Sequence, residues 1–316
     1  MEMFLGWTFA AALLLDLLLG DPHGWPHPVI GIGRFAKRFE LVLAGLVDNR
    51  RLAGSLLALA VLALTAGVTW GIMFVAERLH PLLGLVVSVW LGYTTLSLRA
   101  LHVESRAVVQ QLQCGNHEEA RRILAMIVGR DTAGLDAEEI LKACIEAVAE
   151  NTSSGVVGPL FYLMLGGPIL AMVYKAAATL DAMVGFTNDS GHETGWASAK
   201  LDDLFNLIPS RLAAILIILT AFPLGLNPWA AFRVVLRDAR KPASPNSGFP
   251  EAAMAGALGV ELGGPALYFG QRVDKPTLGD ADFPVTVARY RAAIRLMYLS
   301  SLSMVVIGLL LWLPYS

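Results

Sequence analysis

The chain has 316 residues, 55% of them hydrophobic and only 16% charged, with a mean hydropathy of +0.58 and a net charge of -2. A soluble globular domain carries about 25% charged residues, so the composition excludes a disordered chain and argues against an ordinary soluble enzyme. A pI near 6.3 gives nucleic acid no basic footprint, and the two cysteines, Cys114 and Cys144, are too few for a disulfide framework or a cysteine-based zinc site.

The class that remains is an integral membrane protein. A spanning helix needs roughly 20 mostly apolar residues. The first candidate is 3–20, interrupted only by Asp16. It lacks the basic n-region and small-residue cleavage site of a signal peptide, so it reads as retained. Next come 52–76 and 81–98, both without charged residues beyond their flanks. The stretch 155–174 is apolar but broken at Gly166-Gly167-Pro168, 212–226 is apolar and short, and 296–314 is the last. The expected fold is all-α and polytopic, with five or six membrane elements. The expected organisation is a single integral membrane domain over 1–316, with cytosolic helical segments at about 99–154 and 227–295.

Basic loops stay on the cytosolic side. Of 24 Lys and Arg, five lie in 34–51, six in 99–154 and nine in 227–295. Those three stretches read as cytosolic and both termini as external, in the cell (inner) membrane. The polar stretch 175–211 faces outward if both flanking segments cross fully. It folds back toward the cytosol if 155–174 is re-entrant. Both readings are open. Within 99–154, residues 118–128 and 136–150 carry apolar residues at helical spacing, and Asp136 with Glu139 has the spacing of an N-terminal capping pair.

Several polar groups need a reason. Glu146 and Glu150 are four apart and share a helix face. They suit a base or a Mg²⁺ ligand, although spacing alone favours a solvated face paired with Lys142. Arg130 and Asp131 sit in Gly129-Arg130-Asp131-Thr132, where a phosphate and metal site competes with a simple helix cap. Asp16 lies in an apolar helix, where a carboxylate costs about 2.5–3.5 kcal/mol on insertion scales and marks function by default. Asp21 follows in a Gly-Asp-Pro turn. His23 and His27 lie in a proline-rich stretch that precludes a regular helix and offer no third zinc ligand. Asp181, Asp202 and Asp203 form a second acidic group, with Lys175, Lys200 and Arg211 supplying positive charge. That mixture fits a polyphosphate with Mg²⁺, or a set of structural ion pairs. Ser244-Pro245-Asn246-Ser247-Gly248, followed by Glu251, is a turn whose N–H groups could cradle an anion. Neither a Walker A loop nor a Gly-x-Gly-x-x-Gly fingerprint is present, so any nucleotide site is of another type.

Taken in order, these strings resemble the adenosylcobinamide-phosphate synthase family, membrane proteins of late cobalamin biosynthesis. The resemblance rests on Leu15-Asp16, Gly20-Asp21-Pro22, His27-Pro28-Val29, Gly129-Arg130-Asp131-Thr132 and Glu150-Asn151-Thr152. It continues through Tyr174-Lys175-Ala176, Leu180-Asp181-Ala182, Leu201-Asp202-Asp203 and Ile208-Pro209-Ser210-Arg211. It ends with Ser244-Pro245-Asn246, Glu251-Ala252-Ala253, Lys275-Pro276 and Gly279-Asp280. The chain departs from the family pattern at Ser154, where Asp is usual, and at Thr187, where Lys is usual.

The resemblance implies an ATP-dependent amide ligase joining the corrinoid adenosylcobyric acid to aminopropanol phosphate, with Mg²⁺ and ATP required. It implies catalytic roles for Asp131, Glu146, Glu150 and Asn151. Substrate and phosphate contacts would come from Arg130, Lys175, Lys200, Arg211, Ser244, Asn246 and Glu251, and metal ligands from Asp21, Asp181 and Asp202. The implied partners are the corrinoid, the amino-alcohol phosphate, ATP and membrane lipid, with a homo-oligomer open and nucleic acid excluded. A transporter is the competing class, but transporters are usually built from two related halves and no internal repeat is visible here. A non-catalytic membrane relative of the family is the third reading, with Ser154 as its support.

Overall fold

A computed structural model of the chain describes residues 2–21, 24, 27–184 and 192–312. Its helices are α1 (Glu2–Leu19), α2 (Pro28–Leu46), α3 (Arg50–Leu79), α4 (Pro81–Tyr93), α5 (Leu98–Gln113), α6 (His117–Leu124), α7 (Ala137–Thr152), α8 (Gly158–Val184), α9 (His192–Ala221), α10 (Pro228–Asp238), α11 (Gly248–Leu258) and α12 (Val287–Trp312). A five-residue π turn, Ser153–Val157, joins α7 to α8. Five helical stretches are long and apolar enough to cross a membrane: 50–79, 81–113, 137–184, 193–221 and 287–312. A shorter apolar helix covers 7–19. The protein is therefore an all-α, polytopic membrane protein, as its composition requires. His23, Thr187 and Asp189 lie outside the described residues.

The chain packs as two compact units. One comprises residues up to 97, 158–206 and from 305 onward. Its helix ends are set locally. Asn49 accepts the Leu52 N–H to start α3, and His80 accepts the Leu82 N–H to start α4 with Pro81 in the first turn. α2, α3 and α8 meet over Ala36, Leu43, Ala53, Leu57, Ala58, Val61, Ala176 and Leu180. Small residues permit close backbone approach, as is common between membrane helices. A Cβ on Gly54, for instance, would lie 2.0 Å from the Thr194 carbonyl oxygen. The break expected in 155–174 is present. Gly166 and Gly167 leave helical geometry, Gly167 at φ 61°, ψ -157°, a combination that glycine alone adopts without strain. A hollow of about 440 Å³ lies against this break, lined in part by Thr8, Glu77, Ser88 and Pro168. The polar stretch 175–211 is helical in α8 and α9 on both sides of the residues outside the description.

The second unit comprises 98–157 and 207–304. α7 starts with the expected capping box. Asp136 Oδ1 accepts the Glu139 N–H at 2.9 Å and Glu139 Oε2 accepts the Asp136 N–H at 2.8 Å. Ile140, Cys144, Ile145, Val148 and Ala149 are buried along α7. α10 and α11 pack so tightly that a Cβ on Gly256 would meet the Ala231 Cα at 2.6 Å. The stretch 227–295 is not wholly helical. It contains four short strands, β1 (Leu262–Gly263), β2 (Ala266–Tyr268), β3 (Gln271–Val273) and β4 (Thr277–Leu278), paired antiparallel as β1–β4 and β2–β3. Glycines break the helix there, and the β2–β3 turn has both central residues, Phe269 and Gly270, at positive φ, the two-residue geometry that matches strand twist.

Asp238 ties this unit together. Its carboxylate is fully buried and accepts hydrogen bonds from Arg237, from Lys241 at 2.7 Å and from the Gly279 N–H at 2.9 Å. Burial alone would raise its pKa, but the bonds from Arg237, Lys241 and Gly279 outweigh it and hold the carboxyl well below the usual range. Asp238→Asn removes charge-assisted hydrogen bonds worth about 1.5–3 kcal/mol each, and thermal unfolding in neutral detergent should show a lower Tm. The depressed pKa means that the stabilisation is present above the ordinary Asp value and lost as pH falls below it. The Asn variant should therefore approach wild type as the medium is acidified.

Candidate active site

The carboxylates that the sequence singles out assort into separate groups. Within the second unit, α7 presents Glu146 and Glu150 one turn apart, and the first turn of α11 presents Glu251. Glu146 is buried and both its oxygens are engaged. Oε2 accepts from the Arg130 guanidinium and Oε1 accepts the Gly263 N–H at 2.6 Å. Gly263 lies at φ 76°, and a Cβ there would sit 2.4 Å from the Pro276 carbonyl oxygen, so only glycine brings that N–H to Glu146. Burial works against the charge on Arg130, but Glu146 keeps it more firmly protonated than a free arginine.

Glu150 retains solvent exposure and Glu251 is half-buried. Burial, then the charges of Glu150 and Glu146, raise the Glu251 carboxyl well above the usual carboxylate range, against the pull of Lys275 and Arg130. Glu150, Glu251, Glu146, Arg130 and Lys275 are thus one electrostatic cluster. Lys275 is held on Tyr268, its Nζ hydrogen-bonded to the phenol oxygen and 4.6 Å from the ring centroid. Asp131 fixes the β2–β3 hairpin that carries Tyr268. Its N–H donates to the Leu267 carbonyl at 2.8 Å and its Oδ2 accepts the Gly270 N–H at 2.7 Å. Asn151 donates back to the Ala147 carbonyl at 2.9 Å.

Arg211 and the Ser244-Pro245-Asn246 turn form a second assembly in this unit. Arg211 donates to Asn246 Oδ1 at 2.9 Å and to the Pro245 carbonyl at 3.2 Å, and its guanidinium lies 4.0 Å from the Phe249 ring centroid. Ser244 Oγ accepts the N–H groups of Asn246 and Ser247. These residues hold the turn that leads into α11 and hence position Glu251.

In the first unit, Asp16 is buried at 1% exposure. Asp16 and Asp21 both act electrostatically on Lys175 and on Tyr93. Tyr93 donates to the Gly20 carbonyl, and His27 Nε2 lies 3.8 Å from Asp21. Burial lowers the His27 pKa, Asp21 partly offsets this and Lys175 adds to it. Asp181 neighbours Asp203, which is 3.8 Å from Lys200. Asp202 instead acts on Tyr174, whose hydroxyl donates to Asn206 at 2.7 Å.

Among the described residues no three His, Cys, Asp or Glu side chains group as a metal cage. Sequence reasoning did not single out Lys275 and Tyr268 as site residues, nor Gly263. Lys275-Pro276 was visible as a motif, but its partner on the hairpin is set by the turn at Phe269-Gly270, and no local pattern linked it to α7.

The family model described as CobD/Cbib protein matches residues 9–297. The chain is 51% identical over 293 residues to a cobalamin biosynthesis protein CobD of Geobacter metallireducens, covering 93% of this chain and 92% of that one. It is 48% identical over 302 residues to a CobD of Pelobacter propionicus, covering 96% and 94%. It is 42% identical over 302 residues to a cobalamin biosynthesis protein CbiB of Salmonella choleraesuis, covering 95% and 94%. No solved structure matches the chain.

Proposed function

The chain belongs to the CobD/CbiB protein family of cobalamin biosynthesis, and on that premise we propose that it is an ATP-dependent amide ligase at the cell membrane. It joins adenosylcobyric acid to aminopropanol phosphate to give adenosylcobinamide phosphate. The observation that carries this reading is the meeting of two under-compensated carboxylates, Glu150 and Glu251, with two cations, Arg130 and Lys275.

A carboxylate does not accept an amine at neutral pH without activation. Transfer of the terminal phosphoryl group of ATP to the corrinoid carboxylate gives an acyl phosphate and ADP. The amine then attacks the acyl carbon, loses a proton, and expels inorganic phosphate. Arg130, oriented by Glu146, and Lys275, seated on Tyr268, balance the phosphate charge. Glu251 takes the amine proton, because burial and the neighbouring Glu150 and Glu146 raise its carboxyl above the ordinary range and make it a stronger base than a free glutamate. Mg²⁺ is commonly held by one or two carboxylates plus substrate phosphates. Glu150 beside Glu251 fits that donor chemistry without a protein cage, and the cation would neutralise the nucleotide oxygens. The ligand set in this reading draws on α7 and α11, and the cluster opens to the cytosolic side, where ATP is available.

Incubating the purified full chain with adenosylcobyric acid, Mg-ATP and aminopropanol phosphate should give a corrinoid heavier by the amine less one water, seen by mass spectrometry. No mass gain, or a gain that does not need ATP, rejects the ligase.

A further inference from the structure

A second cationic site lies in the groove between α5 and the first turns of α12, away from any residue used above. α5 contributes Arg106, Val109, Gln110 and Gln113, and α12 contributes Arg291, Ile294 and Arg295, to one hollow of about 360 Å³. The spacings of three and four are those of a single helix face on each side. Val109 and Ile294 are buried and form an apolar floor. The arginines are exposed at the rim.

The two helices are locked together beneath the groove. The Tyr290 phenol bonds the Ser105 hydroxyl at 2.9 Å, and His102 Nδ1 bonds the Tyr298 hydroxyl at 2.8 Å. The rim geometry is therefore fixed before any ligand arrives. No carboxylate lines the hollow. Among the described residues no ion pair engages Arg106, Arg291 or Arg295. Three like charges around one hollow repel one another unless an anion joins them.

We propose that this groove is a phosphate-binding site, in which Arg106, Arg291 and Arg295 clasp the anionic oxygens of one phosphate group while Gln110 and Gln113 supply neutral donors. Guanidinium forks match phosphate oxygens in pairs, and the volume suits a phosphate or diphosphate head rather than a whole corrinoid. Arg291 and Arg295 directly precede the apolar run 296–312. Basic pockets at that position bind phospholipid head groups, so the phosphate has two sources, a lipid or a soluble phosphoester.

Isothermal titration of the full chain in neutral detergent separates them. The probes are inorganic pyrophosphate, dioctanoyl phosphatidic acid and, as the uncharged-head control, dioctanoyl phosphatidylcholine. Wild type should bind pyrophosphate or phosphatidic acid, and not phosphatidylcholine. Preference for phosphatidic acid assigns a lipid head group, and preference for pyrophosphate a soluble phosphoester. R106Q, and separately R291Q/R295Q, should each weaken binding tenfold or more, whereas R272Q, elsewhere on the surface, should not. The substitutions lie on two helices, so if one variant fails to fold the other still decides. The site is overturned if neither anion binds, if the affinities survive both variants, or if binding is lost only on R130Q.

Discussion

Glu251→Gln should lower amide formation on the order of 10²- to 10⁴-fold, the usual contribution of a general base, while raising the Tm of the protein at neutral pH. Both effects come from the same crowding. Burial and the charges of Glu150 and Glu146 raise the Glu251 pKa, so the folded protein favours the neutral carboxyl. A carboxyl whose folded pKa exceeds its unfolded value lends stability below the unfolded pKa and loses it as pH rises through the folded one. Gln mimics the neutral form at every pH. The Tm gain over wild type should therefore grow from mildly acidic to neutral pH and vanish near pH 4. Amide formation by wild type should rise across the same interval, as the base becomes available. Mass spectrometry of the corrinoid and thermal unfolding in neutral detergent check the two halves. A Gln variant with wild-type turnover rejects the base, and one that is both inactive and less stable shows that Glu251 is structural.

Arg130→Ala should be the most destabilising single change at the site. Glu146 is only 5% exposed, and without Arg130 it keeps only the Gly263 N–H among the hydrogen bonds described above. Removing one partner of a buried ion pair costs about 3–5 kcal/mol, because the remaining charge is left uncompensated. The double variant R130A/E146Q should recover much of that stability and none of the activity. R130K keeps a charge but not the planar fork, so it should restore stability better than turnover. Thermal unfolding of wild type, R130A, E146Q and R130A/E146Q forms a double-mutant cycle, and a coupling energy below about 0.5 kcal/mol would mean that the pair is not a unit.

The membrane helices were legible because hydropathy and length alone decide them. The Gly166-Gly167-Pro168 break and the Asp136–Glu139 capping box were legible because their causes are local. Glu146 and Glu150 could be placed on one helix face from spacing. What spacing could not give is that their roles diverge. Glu146 is engaged by Arg130 and by the backbone of Gly263, 117 residues away in sequence, whereas Glu150 faces Glu251 from another helix. Asp131 read as a cap or a metal ligand, and its bonds to Leu267 and Gly270 depend on a hairpin whose strands are three residues each, too short to leave an alternating pattern. Asp181, Asp202 and Asp203 read as one acidic group by charge, and the family resemblance joins Asp21 to Asp181 and Asp202 as metal ligands. The fold separates Asp16 and Asp21, around Lys175, from Asp181 beside Asp203 and Asp202 near Tyr174.

The interruption of α8 has a cost that its surroundings must meet. Pro168 brings no amide hydrogen to the Met164 carbonyl one turn earlier, and hydrocarbon offers none in exchange. The adjoining hollow, lined by Gly166, Gly167 and Pro168 with Thr8, Ser88 and Glu77 on its wall, gives the broken backbone polar company and room for solvent. Moisture entering there would wet a helix otherwise sheathed in grease, and deuterium should label the amides just after the proline sooner than those a turn or two farther along the same rod.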